Sequence, residues 1–225
     1  LLAQDIGHAT VLQALGNSAE AERRWRSALA HAEADVAAND ERLRIRRNAV
    51  PRATALRTWS GSEMDLAGAL RLQGRLAEAE SYARSALIRR LNAFGRYNAA
   101  TADSIRSLAA ILYEAGRYAD ARRLARAAAD TFRDAGAFAG SAQIAEAKAI
   151  IGASLVAEGQ YAEAIEVFEE RRAGLALDPV QAARLQSRVD PNWGYALLRR
   201  GRIAEARDMF ETLHAQRLEI GRAHV

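Results

Sequence analysis

The 225-residue chain contains no cysteine, which excludes disulfides and thiolate metal sites and suits a reducing compartment. The expected location is the cytoplasm. The periplasm stays open, because the chain opens on Leu1 rather than Met, as expected of a piece of a longer protein. Proline occurs three times and aromatics make up only 6 %. With strand-forming β-branched and aromatic residues so thin, a β-rich fold is excluded. No apolar run approaches the roughly 18 residues that a membrane-spanning helix needs. Lys148 is the only lysine. The sequence holds no phosphate loop, no HExxH zinc pair, and no serine–histidine–aspartate order in a strand context. No catalytic residue, metal site or cofactor is therefore expected.

What is present is alanine, 53 residues of it, together with 31 arginines. Alanine is the best helix former. An apolar content of 50 % at a net charge of only +4 also excludes disorder. The excess of arginine over acid lies in residues 1–112, which hold 16 Arg and 12 acids. A net charge this small is weak ground for nucleic-acid binding.

One signal recurs five times: GNSAEAE from Gly16, GRLAEAE from Gly74, GRYADAR from Gly116, GQYAEAI from Gly159 and GRIAEAR from Gly201, at spacings of 58, 42, 43 and 42 residues. An apolar stripe of helical period precedes each glycine, such as Ile105, Leu108, Ala109, Leu112 and Tyr113. The glycine ends that helix in a left-handed cap. A second stripe follows, with an acid in its first turn at the positive end of the helix dipole. Seven residues before each glycine stands a small residue (Ala9, Ala67, Ala109, Gly152, Gly194), and five after it an alanine (Ala21, Ala79, Ala121, Ala164, Ala206). Each copy thus reads as a close-packed helical hairpin.

First helices are expected near 2–15, 52–73, 98–115, 140–158 and 179–200, and second helices near 18–38, 76–94, 118–134, 161–175 and 203–220. Asp178-Pro179 and Asp190-Pro191 each read as an N-cap followed by a helix-starting proline, which splits or kinks the last first-helix at Pro191. The long first spacing makes 39–59 an irregular insertion, where a boundary or bend is expected.

A small residue, a glycine seven positions on, Ala five beyond it and often an aromatic at nine (Trp25, Phe168, Phe210) resemble the tetratricopeptide repeat. The period near 42 departs from the usual 34 of that family. The stretch from Phe94 to Ala128 resembles the long-repeat class of kinesin light chains and many bacterial proteins. The resemblance implies an all-α, right-handed superhelical solenoid of about five hairpins, a single array over 1–225 with repeats near 2–38, 52–94, 98–134, 140–175 and 179–220. It also implies a non-catalytic scaffold that binds a peptide or partner protein in a groove lined by first helices. Counted from each glycine, the groove residues are Met64, Arg71, Arg106, Tyr113, Val156, Tyr195, Leu198 and Arg199. The asparagine–lysine clamp that some members use for a chain terminus is missing. Arrays of this Ala- and Arg-rich style also resemble those preceding bacterial caspase-like CHAT protease domains, so a regulatory arm of such a protease is an alternative.

A further alternative rests on Arg42, Arg44, Arg46, Arg47, Arg52 and Arg57, a basic cluster that would grip nucleic acid or an acidic partner through its guanidinium forks. It lacks an aromatic ladder for base stacking, so a solvated helix face is the stronger reading. Glu169, Glu170, Arg171 and Arg172 read as an exposed face with local ion pairs. His8, His31, His214 and His224 are scattered, and His8 is expected in the core. Phe210, Leu213 and Leu218 near the last hairpin's end at Ile220 would leave an apolar face for self-association. A membrane is not an expected partner.

Overall fold

A computed structural model describes residues 2–44, 52–176 and 190–223, with side chains placed over 4–42, 52–176 and 190–215. Ten helices, and no strand, occur among the described residues: α1 (Leu2–Ala14), α2 (Ser18–Arg44), α3 (Arg52–Leu72), α4 (Leu76–Phe94), α5 (Ala99–Glu114), α6 (Tyr118–Asp134), α7 (Ala142–Ala157), α8 (Tyr161–Leu175), α9 (Pro191–Arg199) and α10 (Ile203–Ala223). The five repeat glycines all adopt the left-handed backbone, with φ between 75° and 78°. At Gly16, Gly74, Gly159 and Gly201 the next residue's N–H reaches back to the carbonyl five residues earlier, as in Gln160 to Leu155 at 2.8 Å. That closes the helix end and re-aims the chain for the return helix.

The acid four residues after each glycine falls in the first turn of the return helix, as the pattern predicts. In three copies it also receives the arginine just after the glycine: Arg75 on Glu78, Arg117 on Asp120 and Arg202 on Glu205, at 2.6–2.7 Å. Arg75 extends further to Glu22 on α2, and Arg202 to Glu169 on α8, so these turns also tie successive second helices.

The described chain divides into two compact units, 1–115 and 116–225. In the first, each helix packs on the next from α1 to α5. In the second, α6 packs on α7, α7 on α8, and α9 on α7, α8 and α10. The small residues before the glycines and the alanines after them are all buried. Without side-chain bulk at these positions, paired helices approach closely and the cores fill with Leu66, Leu70, Leu108 and Leu112 in one unit and Leu155, Phe168 and Leu197 in the other. Where the small residue is glycine, the space is taken by a ring. A Cβ on Gly152 would sit 2.5 Å from the Phe168 ring, and one on Gly194 would sit 2.9 Å from Phe210.

Three expectations change. Helix α2 continues to Arg44 instead of ending near residue 38, because nothing between Asn39 and Arg44 breaks a helix. The 39–59 stretch is therefore helical at both ends, with 45–51 outside the described residues, and α2 and α3 pack on each other within one unit. His8 is exposed, not in the core, since Asp5 and Ala9 take the buried side of α1. Helix α9 starts at Pro191 on an Asp190 cap whose carboxylate accepts from the Asn192 N–H at 3.0 Å, which agrees with a split there. Asp178-Pro179 and His224 lie outside the described residues.

Candidate functional site

In the first unit, α3 and α5 carry the predicted groove residues Met64, Arg71, Arg106 and Tyr113. All four are partly exposed. Arg71 on α3 is paired with Glu114 on α5, and Arg106 bridges to Asp103 at 2.7 Å. The cations on this face are thus already engaged with carboxylates. Asp65 stands beside Met64, open to solvent on one side and enclosed by protein on the others. Burial pushes its carboxyl up to about 6, with Arg90 opposing the shift and Asp103 adding to it. A carboxyl that binds its proton more tightly in the folded chain than its ordinary 3.8 removes stability as pH rises from about 4 through 6. Asp65→Asn is therefore expected to raise the Tm near pH 7.5 and to leave it almost unchanged near pH 4. Equal shifts at both would rule out titration of Asp65 as the cause.

The second unit differs. Val156 is 8 % exposed and belongs to the helix packing, as does neighbouring Ala153. On α9, Trp193, Gly194, Ala196 and Leu197 turn into the core, whereas Tyr195 and Leu198 are 41 % and 46 % exposed and Arg199 is exposed with them. The Arg199 guanidinium donates to the Tyr195 hydroxyl oxygen at 2.8 Å and lies 5.7 Å from that ring's centre. It also covers the ring of Tyr161, at the start of α8, at 4.8 Å. The two tyrosine rings meet edge to face, 5.9 Å apart. The cation holds the Tyr195 phenol below its ordinary value, chiefly through the hydrogen bond. Tyr161 was not among the residues expected at the site. Its place two residues after a repeat glycine reads as hairpin packing, and only the fold brings it to α9.

Of the basic cluster, three side chains are described. Arg42 is exposed on α2, and Arg44 ends that helix. Arg52 faces Asp40 at 3.4 Å, and Arg57 covers the Phe94 ring at 5.4 Å. Arg46 and Arg47 lie outside the described residues. A cleft of about 530 Å³ between α3 and α4 is lined by Arg52, Leu56, Arg89 and Asn92 among others. Its arginines are engaged, Arg52 with Asp40 and Arg89 with Glu63. Phe210 is partly exposed and Leu213 half-buried on α10, while the Leu218 side chain lies outside the described set.

The Glu169–Arg172 run is not a face of local pairs. Glu169 meets Arg202 on α10, Glu170 meets Lys148 on α7, Arg171 donates to the Ala145 carbonyl, and Arg172 covers the Trp193 ring. Successive residues on a helix point about 100° apart, so four in a row reach different neighbours.

Sequence reading also missed the buried polar contacts between helices. Asp5 accepts from Ser27 at 2.9 Å and Arg24 at 3.2 Å, with His31 at 3.4 Å. Glu63 accepts from Ser85 and Arg89. Arg90 donates to Ser60 and the Ala100 carbonyl. Lone charged residues in an apolar stripe were the available signal. Among the described residues no group of side chains is placed to hold a metal ion, and no helix is long and apolar enough to cross a membrane.

The tetratricopeptide repeat matches residues 55–134, and a second description of the same repeat matches 3–27 and 194–212. No curated protein matches the sequence. Among solved structures, a protein of nearly identical TPR-like repeats from Podosopora anserina, named for the kinesin light chain, is similar at 17 % identity and a TM-score of 0.68, over 98 % of this chain and 96 % of that one. BtubC (BKLC) from P. vanneervenii is similar at 18 % identity and a TM-score of 0.68, over 95 % and 78 %. The Rap protein complexed with competence and sporulation factor is similar at 15 % identity and a TM-score of 0.50, over 97 % and 75 %. At these identities the likeness shows the fold, an all-α TPR-like repeat array.

Proposed function

Since the chain belongs to the tetratricopeptide repeat family, we propose that it is a non-catalytic scaffold that binds a peptide or partner segment along its first-helix faces. Repeats of this family generally serve protein–protein interaction. The observation that carries the reading is the outward side of α9. A surface helix normally turns polar residues to water, yet α9 leaves Tyr195 and Leu198 exposed beside Arg199. Tyr and Arg are enriched where interfaces concentrate binding energy. Met64 and Tyr113 give the first unit a similar apolar and aromatic character between its ion pairs. The Rap protein, complexed with a factor, lends the fold a precedent for holding a ligand. Nucleic acid is the weaker reading, since Arg52 and Arg57 already face Asp40 and Phe94.

A displayed library of random peptides, selected on the full chain, tests this. The expected result is an enriched pool whose binding weakens at least about tenfold when Tyr113 and Tyr195 are both changed to alanine, with helical circular dichroism and Tm retained. A pool indifferent to that double change, or no pool at all, would overturn the proposal.

A further inference from the structure

The geometry of the second unit points to Arg199, seated on Tyr161 and Tyr195 with Leu198 beside it, as the docking point for an acidic side chain of an extended partner segment. This rests on the groove reading above and names the chemistry of its occupant.

Most other cations of the first helices meet acids within the same unit: Arg52 with Asp40, Arg71 with Glu114, Arg106 with Asp103 and Lys148 with Glu170, while Arg57 covers the Phe94 ring. Among the described residues no carboxylate stands within ion-pair distance of Arg199. Its partners are the rings and hydroxyls of Tyr161 and Tyr195. A guanidinium has five N–H donors. The Tyr195 hydroxyl takes one, Tyr161 stands close enough to share in the pairing, and the side chain is otherwise exposed with no acid to meet its charge.

Ring faces attract a cation without neutralising it. They fix the plane of the guanidinium, so much of the ordering cost of a flexible side chain is met before a partner arrives. A fixed planar fork matches the two oxygens of a carboxylate, and this pairing is stronger than a neutral hydrogen bond. A phosphate dianion is normally held by a cluster of arginines, whereas here one guanidinium sits on two rings. Leu198, 46 % exposed on the same helix, supplies an apolar contact next to the charge. The following residue, Arg200, lines a small cleft of about 190 Å³ with Gln160, Tyr161 and Glu163, which gives the segment a polar margin. The fitting partner is therefore an unfolded or extended stretch with an Asp or Glu next to an apolar residue.

The test selects displayed random peptides in parallel on the full wild-type chain and on the Arg199→Gln chain. The wild-type pool is expected to be enriched in Asp or Glu at a fixed offset from an apolar residue. The Arg199→Gln pool should lack that enrichment. A synthetic peptide from the first pool should lose about tenfold in affinity when its acid is changed to the amide, and that loss should vanish on the Arg199→Gln chain. An acid-neutral wild-type pool overturns the assignment, as does an amide penalty that persists without Arg199. Tighter binding of the peptide with phosphoserine in place of its acid also overturns it, in favour of a phosphate site. In those cases a wild-type pool still abolished by the Tyr113 and Tyr195 changes leaves the scaffold reading standing. Failure to select any pool removes both.

Discussion

Phe168→Ala is expected to cost about 3–5 kcal/mol of stability, Gly152→Ala about 1–3 kcal/mol, and the two together clearly less than their sum. Phe168 is 1 % exposed, its ring lies against Gly152 on α7, and its other side is stacked on Trp193 of α9 at 5.9 Å. Truncation would leave a cavity between two first helices. A methyl on Gly152 would stand 2.5–2.9 Å from three ring atoms, and with Trp193 behind it the ring has nowhere to move. The double change recreates what the second and third copies already use, the pairs Ala67 with Ala83 and Ala109 with Ala125, all fully buried. Gly194→Ala is expected to be milder. Its nearest ring atom is 2.9 Å away, and Phe210 is 37 % exposed and free to swing outward. Urea unfolding of the full chain and the three variants measures the coupling. Strictly additive costs would show that ring and glycine do not share one space.

The same pairing explains why the fold was legible. Glycine at a left-handed turn, a small residue seven before it and alanine five after it are local requirements of backbone sterics and helix approach, and each leaves its own letter in the sequence. Helices α4, α6 and α8 accordingly match their expected spans to the residue. The failures share a cause as well. Nothing local stops α2 near residue 38, so its end depends on what lies beyond. His8 misled because an apolar stripe drawn on one helix does not fix which residue of a pair faces inward, and here Asp5 is the buried one.

The site was legible only in part. Counting from the glycines groups Tyr195, Leu198 and Arg199, and all three are exposed on α9. Counting could not separate Arg199 from Arg71 and Arg106. What distinguishes them is a carboxylate within reach, Asp103 on the same helix for Arg106 and Glu114 on α5, 43 residues away, for Arg71. Tyr161 reaches Arg199 by the same long-range route. Repeat position fixes the direction of a side chain, while its partner depends on two different copies at once.

Arg89→Ala is expected to cost about 3–5 kcal/mol, more than removal of its partner by Glu63→Ala. The Glu63 side chain is only 5 % exposed, and Arg89 holds both of its oxygens at 3.0–3.1 Å from Nε. Without Arg89, Glu63 would keep the Ser85 hydroxyl at 2.7 Å and the more distant charge of Arg90, leaving a buried carboxylate without a directly paired cation. The reverse removal is gentler. The Arg89 side chain is 29 % exposed and lies 3.4 Å above the Trp59 ring centre, so it retains water and a ring face when the acid is gone. Replacing both by apolar side chains of similar size, Glu63→Leu with Arg89→Met, should return most of the stability, because the cost of desolvating two charges disappears with them. The exposed pair Arg133 with Asp130, at 59 % and 62 %, provides the control: Arg133→Ala should change stability by no more than about 0.5 kcal/mol. If Glu63→Ala proved the more damaging of the two, the pair would be acting through packing on α3 rather than through a charge that the fold must neutralise.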